Sequence, residues 1–269
     1  MRRANLVVGG VLIAVIVSMA AVGLFWTPFS PTAISGPRLA PPGWPHVLGT
    51  DGQGSDTASR IISGAKLALL VGVMSVSAAA LIGVPVGIIA GMSHRWVAAI
   101  LSRGADILYG FPALLLAILF AAAVGGSTWT AVAAIGIATI PVFVRIARAA
   151  TMQVMSQTFV EAARLSATPP LQVAWRHVLP NIAPVLGVQV SVSFGLAILA
   201  EAGLSYLGLG SGSDVPTWGR MLREAQNELF NAPLVALWPG LAIAMATMGF
   251  NLLGDGLRDL LDPKLREIA

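Results

Sequence analysis

Cysteine is absent from the 269 residues. That removes disulfide frameworks, thiolate nucleophiles and cysteine-based metal sites. Charge is scarce as well. Asp, Glu, Lys and Arg make up 10% of the chain, against roughly 25% in a soluble domain. So few charged groups cannot cover the surface of a soluble protein of this length, and the mean hydropathy of +0.82 points to a chain whose solvent is largely lipid. A net charge of +4 without an interleaved basic and aromatic platform argues against nucleic acid as a partner. The three histidines, His46, His94 and His177, lie in separate segments and form no i, i+4 metal pair. No phosphate-cradling Gly-x-x-x-x-Gly-Lys-Ser/Thr loop occurs. No Ser/His/Asp or His/Glu set gathers at one depth, which leaves little support for a membrane enzyme.

What the chain has in quantity is long apolar runs. Crossing the hydrocarbon takes roughly 20 apolar residues, and six runs qualify: residues 5–26, 66–92, 107–124, 128–144, 182–204 and 234–253. The first follows Arg2 and Arg3 but is longer than a signal-peptide core, and it reads as a retained span. The expected fold is therefore all-α, a polytopic bundle of six transmembrane helices. With the N-terminus in the cytoplasm, 11 Lys and Arg fall on the cytoplasmic side and 5 on the other. This asymmetry places both termini inside. Residues 1–65 read as an N-terminal span and an outer segment, and residues 66–269 as the main membrane domain. Outside, "SDTASRIISGAK" suits a short interfacial helix capped by Ser55 or Asp56, and "TWGRMLREAQNEL" suits a helix lying on the outer surface.

Between the fourth and fifth runs lies "VEAARLSATPPLQVAWRHVLPN", residues 160–181. Helical spacing in "QVMSQTFVEAARLSA" puts Met155, Phe159, Ala162, Ala163 and Ser166 on one face and Gln153, Gln157, Glu161 and Arg164 on another. Glu161 and Arg164, at i, i+3, are spaced to pair. The prolines of "SATPP" stop that helix. Thr168 is placed to cap a second one, with Pro169 or Pro170 in its first turn. There Leu171, Ala174, Trp175, Val178 and Leu179 form an apolar stripe, and Pro180 ends the helix before the fifth run. Such a helix–turn–helix fits docking to a partner protein as well as lying in the headgroup layer, and the pattern alone does not separate the two.

These residues resemble a known signature. Glu161, Ala162 and Ala163, followed by Val178, Leu179, Pro180 and Asn181, are similar to the EAA loop of permease subunits of binding-protein-dependent ABC importers. The family's glycine is replaced by Ala167, where a left-handed backbone costs alanine more than glycine. Either the turn uses another geometry, with the prolines helping, or coupling is tuned differently. "HVLGTDGQGSDTASRIISGAKLALLVG", "AILAEAGLSYLGLG", "PTWGRML" and "FNLLGDGLRDLLDPKLR" extend the likeness over most of the chain after residue 45. The version resembles that of the dipeptide, oligopeptide and nickel branch, and within it the C-type subunit.

The resemblance implies a type I ABC importer permease fold in a bacterial inner membrane, with a coupling loop over 153–181. It implies a paralogous B-type permease, two cytoplasmic ABC ATPases that bind ATP and Mg2+, and an extracytoplasmic substrate-binding protein. No cofactor belongs to this chain. Di- or oligopeptides are the expected cargo, with nickel, glutathione or another small solute as the alternative. A stand-alone secondary transporter is the further reading, and it has only Glu201 as an embedded charge. The resemblance assigns Glu161, Ala162, Ala163, Arg164, Ala167, Thr168, Pro169 and Pro170 to ATPase coupling, with residues 167–170 as the tip. Glu161 either meets a basic group of the ATPase or only pairs with Arg164. Trp175 and Leu179 read as packing residues. Gln189, Ser193 and Glu201 are candidates for the pathway; Glu201 either lines or gates it, or bonds Ser205 and fixes helix packing. Asp106, Asn251 and Asp255 read as structural pairing residues, Arg145 and Arg148 as orientation determinants facing lipid, and Pro85, Pro112 and Pro141 as kinks. Trp44, Asp51 and Asp56 either receive the binding protein or fold the outer loop over the bundle.

Overall fold

A computed structural model describes residues 2–210, 212 and 215–261. Lys264, Arg266 and the end of the 250–266 stretch lie outside these. Ten α-helices are formed among the described residues: α1 Arg2–Phe25, α2 Thr57–Met92, α3 Arg95–Tyr109, α4 Ala113–Val124, α5 Thr128–Met155, α6 Thr158–Leu165, α7 Pro170–Val173, α8 Leu179–Tyr206, α9 Trp218–Ala225 and α10 Leu234–Leu261. Five membrane-length apolar helices result, or six when α3 and α4 count as one span bent by 80°. The chain is a multi-pass membrane protein with an all-helical fold, as its composition requires.

Glycine sets the closest packing. In lipid there is no hydrophobic drive between helices, so small residues that let backbones approach carry the association. On α2, Gly83, Gly87 and Gly91 repeat every four residues and face α5. A Cβ there would stand 2.6 Å from the Phe143 Cβ, 2.6 Å from the Ala147 Cβ and 2.7 Å from the Thr151 Cβ, respectively. Residue numbers rise together along this contact, so α2 and α5 run parallel. On the other flank α1 and α10 are antiparallel, with Gly9 against the Leu253 backbone and Gly256 against Leu6. Two apolar clusters follow. One joins α2, α4, α5 and α8 around Phe143, Val71 and Ile182; the other joins α1, α2, α8, α9 and α10 around Ile16, Ile198 and Trp218.

Two expectations need correction and two are sharpened. The residues 57–65 are not a separate interfacial helix: Asp56 caps α2, its carboxylate accepting from the Ser59 amide at 2.8 Å, and the helix runs unbroken through residues 65–66 into the span. Arg60 is tolerated at its start because Asp51 and Glu224 pair with it. The kink expected at Pro112 is a full break of the third run over Gly110 to Pro112, proline lacking the amide that would continue the ladder. Pro180 does not end a helix. A π-helical turn, Ala174–Val178, precedes it, and the widened turn absorbs the ring that would otherwise crowd the carbonyl of residue 176. Finally, the expected surface helix α9 keeps Arg223 exposed but sinks its other face into the bundle. Trp218, Gly219, Met221 and Ala225 are buried, and the Trp218 indole donates to the Ile61 carbonyl at 3.0 Å.

The bundle thus has two distinct ends. The end with α6 and α7 is the elbow end. The end with residues 27–56 and α9 is the cap end.

Candidate functional site

The elbow is built from local backbone chemistry. Helix α5 stops at Met155, the Ser156 hydroxyl donates to the Gln153 carbonyl at 2.9 Å, and Gln157 is extended. The single helical arm expected over 153–167 is therefore two pieces. Helix α6 closes at Ala167, whose φ is +57°. The Ala167 amide bonds the Arg164 carbonyl at 3.0 Å and the Thr168 amide bonds the Ala163 carbonyl at 3.2 Å. These two bonds make a Schellman close, a motif that places glycine at the left-handed position. Alanine here holds a glycine's geometry. Thr168 does not cap α7: Pro169 stands at the N-cap without a side-chain bond, and Pro170 opens the helix, where a missing amide costs nothing.

Three buried valines fasten the elbow to the bundle. Val160, Val173 and Val178 are at most 1% exposed and join the cluster around Phe143. The Phe159 and His177 rings, 6.2 Å apart, link the two arms. Outward face Leu165, Leu171 and Trp175, exposed by 85%, 82% and 74%. Trp175 is therefore not a packing residue, whereas Leu179 is half-buried against the core. Val173 and Val178 are five residues apart, the repeat of a π turn, and that extra residue turns the expected stripe away from the bundle. Glu161, Ala162, Arg164, Ala167, Pro169 and Pro170 are exposed, and Ala163 and Thr168 half-buried. Among the described residues Glu161 and Arg164 form no ion pair. The elbow presents a charged, apolar-studded knob on a rigid base, suited to docking.

Gln189 and Ser193 are brought together on α8, the amide donating to the hydroxyl at 2.9 Å. They line a recess of about 400 Å³ with Tyr109, Phe111 and Thr139, beside the α3–α4 break. Arg145 of α5 holds that break: it donates to Asp106 at 2.7 Å, and its guanidinium lies 4.0 Å from the Tyr109 ring centroid. Arg145 thus pins α3 rather than only facing lipid, and Asp106 is the pairing residue expected. Arg148 is half-buried, and its Nε has no partner among the described residues. Glu201 lies elsewhere, 2% exposed, accepting from the Ser205 hydroxyl at 2.6 Å. Asn251 and Asp255 make no side-chain hydrogen bond among the described residues. Pro85 and Pro141 lie inside α2 and α5, and Pro112 stands at the break.

At the cap end the stretch 46–60 is a buried polar knot. The Asp51 carboxylate accepts from the Gln53 and Ser55 amides at 2.8 and 2.9 Å and pairs with Arg60. Asp56 caps α2 and accepts His46 Nδ1 at 2.9 Å. Arg60 reaches Glu224 of α9 at 2.8 Å. Both aspartates therefore fold the loop onto the bundle, and their burial leaves no free face. Trp44 is 94% exposed. This ionic tie between residues distant in sequence was not readable from it; the only signal was a charged residue at the mouth of an apolar run.

Residues 83–267 match the family model of the binding-protein-dependent transport system inner membrane component. The chain is 40% identical over 230 residues to the dipeptide transport system permease protein DppC of Alkalihalophilus pseudofirmus, covering 85% of this chain and 75% of that protein. It is 38% identical to the di/tripeptide transport system permease protein DppC of Pseudomonas aeruginosa, covering 97% and 89%. It is 41% identical to the glutathione transport system permease protein GsiD of Pectobacterium atrosepticum, covering 82% and 73%. Among solved structures, the inward-facing MetNI methionine ABC transporter aligns with a TM-score of 0.60 at 15% identity, covering 78% of this chain and 96% of that one, a likeness of fold.

Proposed function

The chain belongs to the family of binding-protein-dependent transport system inner membrane components, and on that premise we propose that it is a membrane-spanning subunit of an ATP-driven importer of di- or oligopeptides. It forms half of the pathway with a paralogous permease. Two cytoplasmic ATPases bind ATP and Mg2+, and an extracytoplasmic binding protein delivers the peptide. Both termini and the elbow face the cytoplasm of a bacterial cell whose inner membrane holds the complex. The coupling loop is residues 153–181. Residues 1–65 supply the N-terminal span and the cap; residues 66–269 form the membrane domain.

The observation that carries this reading is the elbow. Ala167 sits in the left-handed turn, three buried valines fix both arms, and Leu165, Leu171 and Trp175 point outward without cover. An ATPase groove is the occupant that suits an exposed apolar knob flanked by Glu161 and Arg164. ATPase closure then moves α5 and α8 together as rigid rods, because the elbow joins the end of one to the start of the other. Gln189 and Ser193, beside the α3–α4 break, line the pathway.

Glutathione is the second reading for the cargo, supported by the 41% identical relative named for its transport. Reconstituted with its partner subunits, the Glu161→Ala variant tests the coupling role. An exposed carboxylate adds only about 0–1 kcal/mol to folding, so normal assembly with lost transport supports coupling. Normal transport removes Glu161 from that role. Uptake of dialanine against glutathione by the wild-type complex separates the two cargoes.

A further inference from the structure

Glu201 is a buried carboxylate with one hydrogen-bond donor, the Ser205 hydroxyl. Among the described residues no cation pairs with it. A carboxylate taken out of water is costly without a positive partner, so the missing partner needs an explanation. Ser205 is also on the wall of a recess of about 560 Å³ at the cap end, between the α4–α5 turn, the end of α8 and α9. Because the Ser205 proton is directed to Glu201, the lone pairs of its oxygen remain able to accept a hydrogen bond from the recess.

The recess also carries charged residues from α9. Arg220, Arg223, Glu224 and Asn227 line it. Arg220 and Glu224 are committed to each other at 2.8 Å, and Glu224 also serves Arg60. Arg223 makes no ion pair among the described residues. Its guanidinium is held over Gly208, where a Cβ would collide with Nη1. Gly208 itself has φ +79°, so a side chain there is excluded twice, by backbone conformation and by the guanidinium. The loop leaving α8 is therefore shaped to keep this cation at the recess.

We infer that this recess is a peptide-binding subsite of the permease: the Ser205–Glu201 pair takes the peptide's terminal ammonium and Arg223 takes its terminal carboxylate. The assignment rests on the peptide reading above and gives it a location in this chain. The ammonium donates to Ser205 Oγ, which donates onward to Glu201, so the buried carboxylate gains its cation through one hydroxyl. From Ser205 to the guanidinium over Gly208 is on the order of 5–10 Å, three residues of chain plus side-chain reach. An extended dipeptide spans about 7 Å and a tripeptide about 10 Å. The recess volume lies within the roughly 300–1,000 Å³ range of small-ligand sites.

The absence of native cysteine allows a direct test of occupancy. In the assembled transporter, with cysteine-free partner subunits, a single Asn227→Cys reports the recess by its rate of reaction with a membrane-impermeant maleimide. Dialanine is expected to slow labelling about tenfold more than either dialanine amide or N-acetyl-dialanine, the scale of one charge-assisted contact. Adding Arg223→Gln should erase the difference between dialanine and its amide, and Arg223→Lys should retain it. Adding Ser205→Ala should erase the difference between dialanine and the N-acetyl form, and Glu201→Gln provides a second variant for that arm. No slowing by dialanine, equal slowing by all three probes, or a pattern untouched by the variants would overturn the subsite. Dialanine uptake by the unmodified complex is measured alongside. Uptake without protection overturns the subsite alone, and absent uptake overturns the peptide reading itself.

Discussion

The indole of Trp218 lies against the bare backbone of Gly64, so closely that a Cβ on Gly64 would stand 2.6 Å from Cδ1. This contact brings α9 down between α2 and α8, with Gly219 admitting the Ala202 carbonyl in the same way. Gly64→Ala should force the ring out of place at a cost of about 1–3 kcal/mol, the usual range for overpacking a filled interior. Gly187→Ala, where a Cβ meets nothing within 4 Å, should be neutral or stabilise the helix by about 0.5–1 kcal/mol. Thermal melting of the purified complex compares the two. Equal melting temperatures would show that α9 is not seated on Gly64.

The alanine in the left-handed turn leads to a second prediction. A left-handed backbone costs a non-glycine residue roughly 1–2 kcal/mol. Ala167→Gly should therefore tighten the elbow, slowing hydrogen exchange of the Ala167 and Thr168 amides, which close the turn, with transport retained. Ala167→Val adds β-branching to the same φ and should open the turn, raising exchange and uncoupling ATP hydrolysis from uptake. If the two variants exchange alike, the turn is not held in the Schellman geometry.

At the cap end, Asp51→Asn removes one of the two carboxylates that hold the buried Arg60. Breaking a buried pair costs about 3–5 kcal/mol, and Glu224 remains, so the lower end is expected. The variant should melt earlier, and limited proteolysis should cut within residues 27–56 first. An unchanged cap would mean that Glu224 alone holds Arg60.

The sequence reveals the membrane helices and the elbow because their signals are local: apolar length for the first, a proline pair between two amphipathic arms for the second. Where it misleads, the cause is non-local or invisible to hydropathy. "SDTASRIISGAK" reads as a short interfacial helix from its capping residues, yet Arg60 is neutralised by Asp51 and by Glu224, the latter far along the chain. The 107–124 run stays apolar through a bend of 80°, and hydropathy is blind to direction; only Pro112 hinted at it. The π turn adds one residue before Pro180 and rotates Trp175 outward, a shift that a strict 3.6 repeat does not contain. The pairing of Gln189 with Ser193 follows from their i, i+4 spacing, whereas the separation of Glu201 from their recess is set by tertiary packing.

The central claim, that the α6–α7 elbow is the ATPase-facing coupling element, is tested most directly at Leu171. This side chain is 82% exposed, and the chain contributes no competing thiol. A lone Leu171→Cys in the assembled transporter should cross-link to an ATPase subunit, with transport stopped by the cross-link and restored by its reduction. Labelling of that cysteine by an impermeant thiol reagent added outside intact cells, with no cross-link to the ATPase, would contradict the account.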